Sequence, residues 1–117
     1  MILIVDDSTT NQVLLEAILQ EEGYETVTAF GAKEAFRIIE RQKPKLILLD
    51  LLMPEVSGFD FLREIKANES TSLIPVMVVS AVGIADNIDE CIALGAAEVF
   101  SKPIDIPLFL ERVKAFI

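Results

Sequence analysis

Three short runs of uninterrupted apolar residues, Ile2 to Val5, Leu46 to Leu49 and Val76 to Val79, constrain this chain more than anything else in it. Each is too short to be a buried helix and is rich in Ile, Val and Leu, the pattern of a strand covered on both faces. All-parallel sheets are almost always covered on both faces, because the crossover helices that join parallel strands supply the two covers.

The intervening segments change period accordingly. After Asp6-Asp7-Ser8 the spacing predicts a helix over Thr10 to Glu22, with Leu14, Ala17 and Ile18 on its inner face and Gly23 as its stop. Tyr24 to Thr28 reads as a weaker strand, polar enough to sit at an edge. Ala32, Ala35, Phe36 and Ile39 recur at helical spacing until Pro44 ends the segment. A loop holding Pro54 and Gly58 leads into a helix through Phe61, Leu62 and Ile65, and Pro75 opens the strand that ends at Ser80. Ile88, Cys91 and Ile92 mark a fourth helix closed by Gly95. Val99-Phe100 is a short strand before Lys102-Pro103, and Phe109, Leu110, Val113 and Phe116 mark the last helix. Five β-α units in succession predict an α/β domain over residues 1–117, with a parallel sheet, helices on both faces and right-handed connections. No repeat or linker divides it, and the apolar end at Phe116-Ile117 leaves room for an output domain beyond.

Composition removes whole classes of chemistry. With 10 Lys plus Arg against 19 Asp plus Glu, the net charge of −9 argues against direct nucleic-acid binding, which rests on neutralising phosphates. The absence of histidine excludes Ser-His and Cys-His nucleophile pairs and most zinc sites. A single cysteine, Cys91, excludes an internal disulfide and reads as a small apolar residue on the fourth helix. No apolar stretch approaches the roughly 20 residues that span a bilayer, and Ile2 to Val5 lacks the basic flank of a signal peptide. The expectation is a cytoplasmic protein with no membrane association.

In open α/β sheets, ligands bind outside the carboxyl ends of the strands. Asp6 and Asp7 end the first strand, Asp50 the third and Ser80 the fourth, while Lys102 follows the fifth. Three carboxylates brought together repel one another unless a cation intervenes, and clustered oxygen ligands suit Mg²⁺. Lys102 and Ser80 add donors for phosphoryl oxygens, and one carboxylate is left to act as nucleophile. Asp50, alone on the middle strand beside the acidic pair, is the candidate. Blander roles compete at each position. Asp6-Asp7 are placed to cap the first helix, Ser80 is also an ordinary strand-end hydroxyl, Lys102 a solvated lysine, and Phe100 a core residue.

The chain resembles a response-regulator receiver domain along its whole length, similar to the single-domain chemotaxis regulators of two-component signalling. The resemblance is carried by Ile4-Val5-Asp6-Asp7-Ser8, Leu48-Leu49-Asp50-Leu51-Leu52-Met53-Pro54 with Gly58, Val79-Ser80-Ala81, Gly95-Ala96 and Ser101-Lys102-Pro103, in order and at matching spacing. It implies a doubly wound, flavodoxin-like sheet of order 2-1-3-4-5. It also implies that Asp50 accepts a phosphoryl group from a phosphohistidine on a sensor kinase or phosphotransfer protein. Asp6, Asp7, Asp50 and the backbone carbonyl of Leu52 would ligate Mg²⁺. Lys102 and Ser80 would hold phosphoryl oxygens, Phe100 would be the switch aromatic, and Pro103 would follow a cis peptide bond that aims Lys102. By that resemblance the domain is a regulatory switch rather than an enzyme with an external substrate, and it works through an output domain or downstream protein by way of its helix 4, strand 5 and helix 5 face.

Departures from the family pattern are local. Phe100 lacks the hydroxyl of the frequent Tyr, and Pro54-Glu55-Val56-Ser57-Gly58 lacks an acid just before the glycine. Glu98 replaces the Asp of many transcriptional regulators, and Ile84 to Val99 carries none of the basic residues of their charge-paired dimer face. Leu52 and Val82, two residues beyond Asp50 and Ser80, offer no group to orient a hydrolytic water, which predicts a long-lived phosphoryl group. Two alternatives stand beside the switch. One is an interaction module of the same fold that is never phosphorylated, although such modules usually lose an acid or the lysine. The other is an FMN carrier, for which Asp6-Asp7 would repel the phosphate where a Ser/Thr/Gly loop is wanted.

Overall fold

A computed structural model describes residues 1–53, 56–81 and 88–117. Strands and helices alternate as β1 (Ile2–Val5), α1 (Thr9–Glu21), β2 (Thr26–Ala29), α2 (Ala32–Arg41), β3 (Leu46–Leu49), α3 (Gly58–Ala67), β4 (Val76–Ser80), α4 (Ile88–Ala93), β5 (Glu98–Ser101) and α5 (Ile106–Phe116). The five strands form one parallel sheet in the order β2-β1-β3-β4-β5.

The all-apolar strands feed two cores at once, because successive side chains point to opposite faces. Leu3, Val5, Ile47, Leu49, Val76 and Val78 pack with Ala35 and Ile39 of α2, Phe61, Leu62 and Ile65 of α3, and Cys91 of α4. Ile2, Ile4, Leu46, Leu48, Met77 and Val79 pack with Leu15 and Leu19 of α1 and with Phe109 and Val113 of α5. Each fully buried Leu, Ile or Phe contributes about 1.5–3 kcal/mol relative to exposure, so the central strands are the most strongly held part of the molecule. The outer strands β2 and β5 are only partly covered, in keeping with their polar sequences. On β5, Glu98 pairs with Arg112 of α5 within the same chain.

Several expectations need correction. The inner face of α1 is Gln12, Leu15 and Leu19, not Leu14, Ala17 and Ile18; Leu14 is half exposed, Ala17 exposed and Ile18 partly covered. Apolar residues ring this helix, so its spacing alone does not select a face; docking against β1 and α5 does. The second strand begins at Thr26 rather than Tyr24, since the turn at Gly23, with φ of 87°, still returns Tyr24 N–H to Leu19. Of the apolar residues marking α4, Cys91 is buried whereas Ile88 and Ile92 are largely exposed. Pro54 and Val82 lie outside the described residues.

The reversal of sheet order between β1 and β3 positions the site. Val5 pairs with Leu49, and Asp50 N–H donates to the Val5 carbonyl at 3.0 Å, so Asp6 and Asp50 leave the sheet side by side. Gly58 at the start of α3 lies so close to this end of β3 that a Cβ there would be 2.4 Å from Leu51 Cα and 2.6 Å from the Asp50 carbonyl oxygen.

Candidate functional site

Asp6, Asp7 and Asp50 each present a carboxylate oxygen within 4.8 Å of the other two. Asp6 and Asp50 are buried and Asp7 is exposed, so the cluster opens to solvent on one side. Neither Asp6 nor Asp7 caps α1. That role belongs to Ser8, whose Oγ accepts the Asn11 N–H at 3.3 Å, while Asp6 Oδ1 accepts the Ser8 N–H at 2.9 Å. The capping explanation for the acidic pair therefore fails, and their carboxylates are left for another purpose.

The two oxygens of Asp50 are treated differently. Oδ1 accepts from Ser80 Oγ at 2.9 Å and from the Leu52 N–H at 3.1 Å. Oδ2 lies 3.8 Å from Lys102 Nζ, which donates to Asp6 Oδ2 at 3.3 Å. Lys102 is itself anchored by its N–H, which donates to the Ser80 carbonyl at 2.7 Å. The Lys102-Pro103 peptide bond is cis. Phe100 is half buried and meets Phe109 edge-on, with ring centroids 5.7 Å apart. Leu52 has an exposed side chain.

One ammonium serves three carboxylates, and the imbalance is visible at Asp6. Burial pushes its carboxyl above the usual aspartate range; the Ser8 N–H opposes this, Asp50 adds to it, and Lys102 opposes it again. Two buried carboxylates and a third at the rim, all offering oxygen and short of positive charge, form a donor set that fits Mg²⁺ with room for water. The residues placed here from sequence, Asp6, Asp7, Asp50, Ser80 and Lys102, are thus brought together as expected.

Sequence inspection passed over Gln12. Its side chain is buried, and Nε2 donates to the carbonyls of Asp6 at 2.7 Å and Ala29 at 2.9 Å. No signal in the sequence singles it out, because Gln12 follows Thr9, Thr10 and Asn11 in the polar first turn of the helix. A concavity of about 820 Å³ lies elsewhere, between α2 and α3 near Phe36, Ile39 and Thr71, and shares no residue with the carboxylate cluster.

Comparison with known proteins agrees with this arrangement. Residues 2–114 match the response regulator receiver domain family. The chain is 34% identical over 117 residues to the polar-differentiation response regulator DivK of Brucella ovis, covering 99% of this chain and 94% of that one. The receiver domain of NtrX from Brucella abortus superposes with a TM-score of 0.93 at 30% identity, over 99% of this chain and 97% of that one. The chemotaxis protein CheY4 of Vibrio cholerae gives 0.89 at 25% identity, over 99% and 97%. This chain belongs to the response-regulator receiver family, the aspartate-phosphorylated regulatory domains of two-component signal transduction.

Proposed function

We propose that Asp50 is the phospho-accepting residue and that the donor is a phosphohistidine on a sensor kinase or phosphotransfer protein. The observation that carries this assignment is the asymmetry at Asp50: Oδ1 is held by Ser80 and Leu52, while Oδ2 faces the Lys102 ammonium. A carboxylate fixed in this way presents Oδ2 to an incoming phosphorus without reorganisation. The new P–O bond forms there as the P–N bond breaks, and the electron pair remains on the donor imidazole. The 117 residues hold no histidine, so that imidazole is supplied from outside them.

Asp6, Asp7, Asp50 and the Leu52 carbonyl are the proposed Mg²⁺ ligands. The bound ion supplies neutralisation of the charge on the transferring phosphoryl oxygens. Asp6, Asp7, Asp50 and Lys102 together carry −2, which one divalent cation balances. Lys102 then holds one phosphoryl oxygen. The Ser80 hydroxyl turns from Asp50 Oδ1 to another, and Phe100 moves toward the space it vacates. The response spreads to the α4, β5 and α5 face, which addresses an output domain or a downstream protein. The domain catalyses only its own phosphorylation and dephosphorylation. Among the described residues no helix is long and apolar enough to cross a membrane, and the proposed place of work is the cytoplasm.

Mass spectrometry after treatment with acetyl phosphate and Mg²⁺ tests the assignment. The parent is expected to gain one phosphoryl group, and Asp50→Asn or omission of Mg²⁺ to prevent the gain. An unmodified parent under conditions that preserve acyl phosphates would instead identify an interaction module that is never phosphorylated.

A further inference from the structure

Among the described residues, Gln12 is the one buried polar side chain near the site that the phosphoryl chemistry leaves unused. Both its partners are carbonyl oxygens, so its amide nitrogen must face them and both its protons are committed. The bonds begin where the β1–β2 ladder ends. Val5 pairs with Ala29, Asp6 N–H donates to the Ala29 carbonyl at 3.1 Å, and Gln12 then clamps that carbonyl to the carbonyl of Asp6. Asp6 is thereby held at four points: its N–H by Ala29, its carbonyl by Gln12, its Oδ1 by the Ser8 N–H and its Oδ2 by the Lys102 ammonium.

We propose that Gln12 is a positioning residue for Mg²⁺ ligation, fixing the Asp6 carboxylate through the Asp6 backbone and tying that carboxylate to α1. This rests on the Mg²⁺ site proposed above. A ligand carboxylate on a strand end is only as well placed as its backbone, and past Val5 that strand has no full ladder of its own. Without the clamp, the Asp6 carbonyl loses its Gln12 donor, and the peptide that leads on to Asp7 is less firmly fixed. Groups that orient metal ligands without touching the metal typically alter affinity 10- to 100-fold when removed. Because Gln12 sits on α1, a shift of that helix is transmitted to the Asp6 backbone, and by reciprocity Mg²⁺ binding biases α1.

Isothermal titration of the metal-free protein with MgCl₂ provides the test, alongside thermal unfolding and the rate of phosphorylation by acetyl phosphate. Gln12→Met removes both donors with little change of length, and Gln12→Glu places an acceptor against two acceptors. Both are expected to weaken Mg²⁺ binding about tenfold, with the phosphorylation rate recovering to within about twofold of the parent at saturating Mg²⁺. Thr71→Val is the control. It deletes another buried side-chain bond, from Thr71 Oγ1 to the Ile65 carbonyl at 2.7 Å, at the C-terminal end of α3. It is expected to lower the unfolding temperature while leaving Mg²⁺ affinity unchanged. Should the longer variants fail to fold, Gln12→Asn, which withdraws the amide by one methylene, takes their place. A folded Gln12 variant with parental Mg²⁺ affinity overturns the proposal, as does Thr71→Val weakening Mg²⁺ equally. A parent that binds no Mg²⁺ overturns the metal site itself, and that result is separable because it appears before any variant is compared.

Discussion

Asp6 keeps its proton to a higher pH than a free aspartate because burial, aided by nearby Asp50, outweighs the help it receives from Ser8 and Lys102. In the metal-free protein the folded state therefore binds this proton more tightly than the unfolded chain does. Between the ordinary aspartate pKa and the raised one, stability falls as pH rises, and above the raised value the full penalty is present. Asp6→Asn is accordingly expected to raise the metal-free unfolding temperature at pH 7, with the gain fading as the pH drops toward 4. It is also expected to abolish the upward shift that Mg²⁺ produces in the parent. Calorimetry at several pH values with EDTA or Mg²⁺ checks both. Leu52, with its exposed side chain two residues beyond Asp50, supplies no group to orient an attacking water. Leu52→Asn is expected to shorten the lifetime of the phosphoryl group severalfold, followed by its decay after the donor is removed. The carboxylates, Ser80 and Lys102 were legible in the sequence because each directly follows or ends a predicted strand, where topology alone delivers them to one edge. Gln12 was not, because its purpose depends on two carbonyls, one of them on β2.

The start of α3 shows how an element can be set by one atom's worth of space. Gly58 N–H donates to the Leu51 carbonyl at 3.1 Å, and a methyl group at Gly58 would collide with the backbone that carries Asp50. Backbone cannot step aside as a side-chain tip can. Gly58→Ala is expected to cost about 1–3 kcal/mol and to slow phosphorylation by displacing Asp50. Urea unfolding measures the first and the acetyl phosphate reaction the second. At the other end of the same helix, Lys66 turns inward and donates to the carbonyls of Ser72 at 3.1 Å and Ile74 at 2.7 Å, and its stem runs beside Gly95. Burial lowers the pKa of this ammonium, yet its two carbonyl partners keep it in place. Gly95 has a φ of 105° and no room for a Cβ beside that stem, so the stop after α4 is fixed by both strain and space. Helix α2 was legible from its spacing because its apolar residues form a single stripe. Helix α1 was not, because Val13, Leu14, Leu15, Ile18 and Leu19 surround it and only the neighbours choose which are covered.

At the scale of the whole molecule, the excess of negative charge and the site's need for a cation are linked to stability. Mg²⁺ that binds the folded cluster and not the dispersed carboxylates of the unfolded chain adds about 2.7 kcal/mol at one hundred times its dissociation constant. The unfolding temperature is therefore expected to rise by several degrees with Mg²⁺ and not with an equal ionic strength of NaCl, as thermal melts can show. The order of elements, the parallel sheet and the group of polar residues at its carboxyl edge all followed from sequence. Period-2 and period-3.6 patterns, strand length and the chirality of crossovers leave few ways to assemble such a chain. Contact between particular atoms was decided only by tertiary structure: which face of α1 turns inward, that Ser8 rather than an aspartate caps it, that Ser80 and Leu52 occupy one oxygen of Asp50, and that Gln12 clamps β1 to β2. Those contacts join residues far apart in the chain through hydrogen bonds a few ångström long, and no periodicity in one segment encodes the position of another.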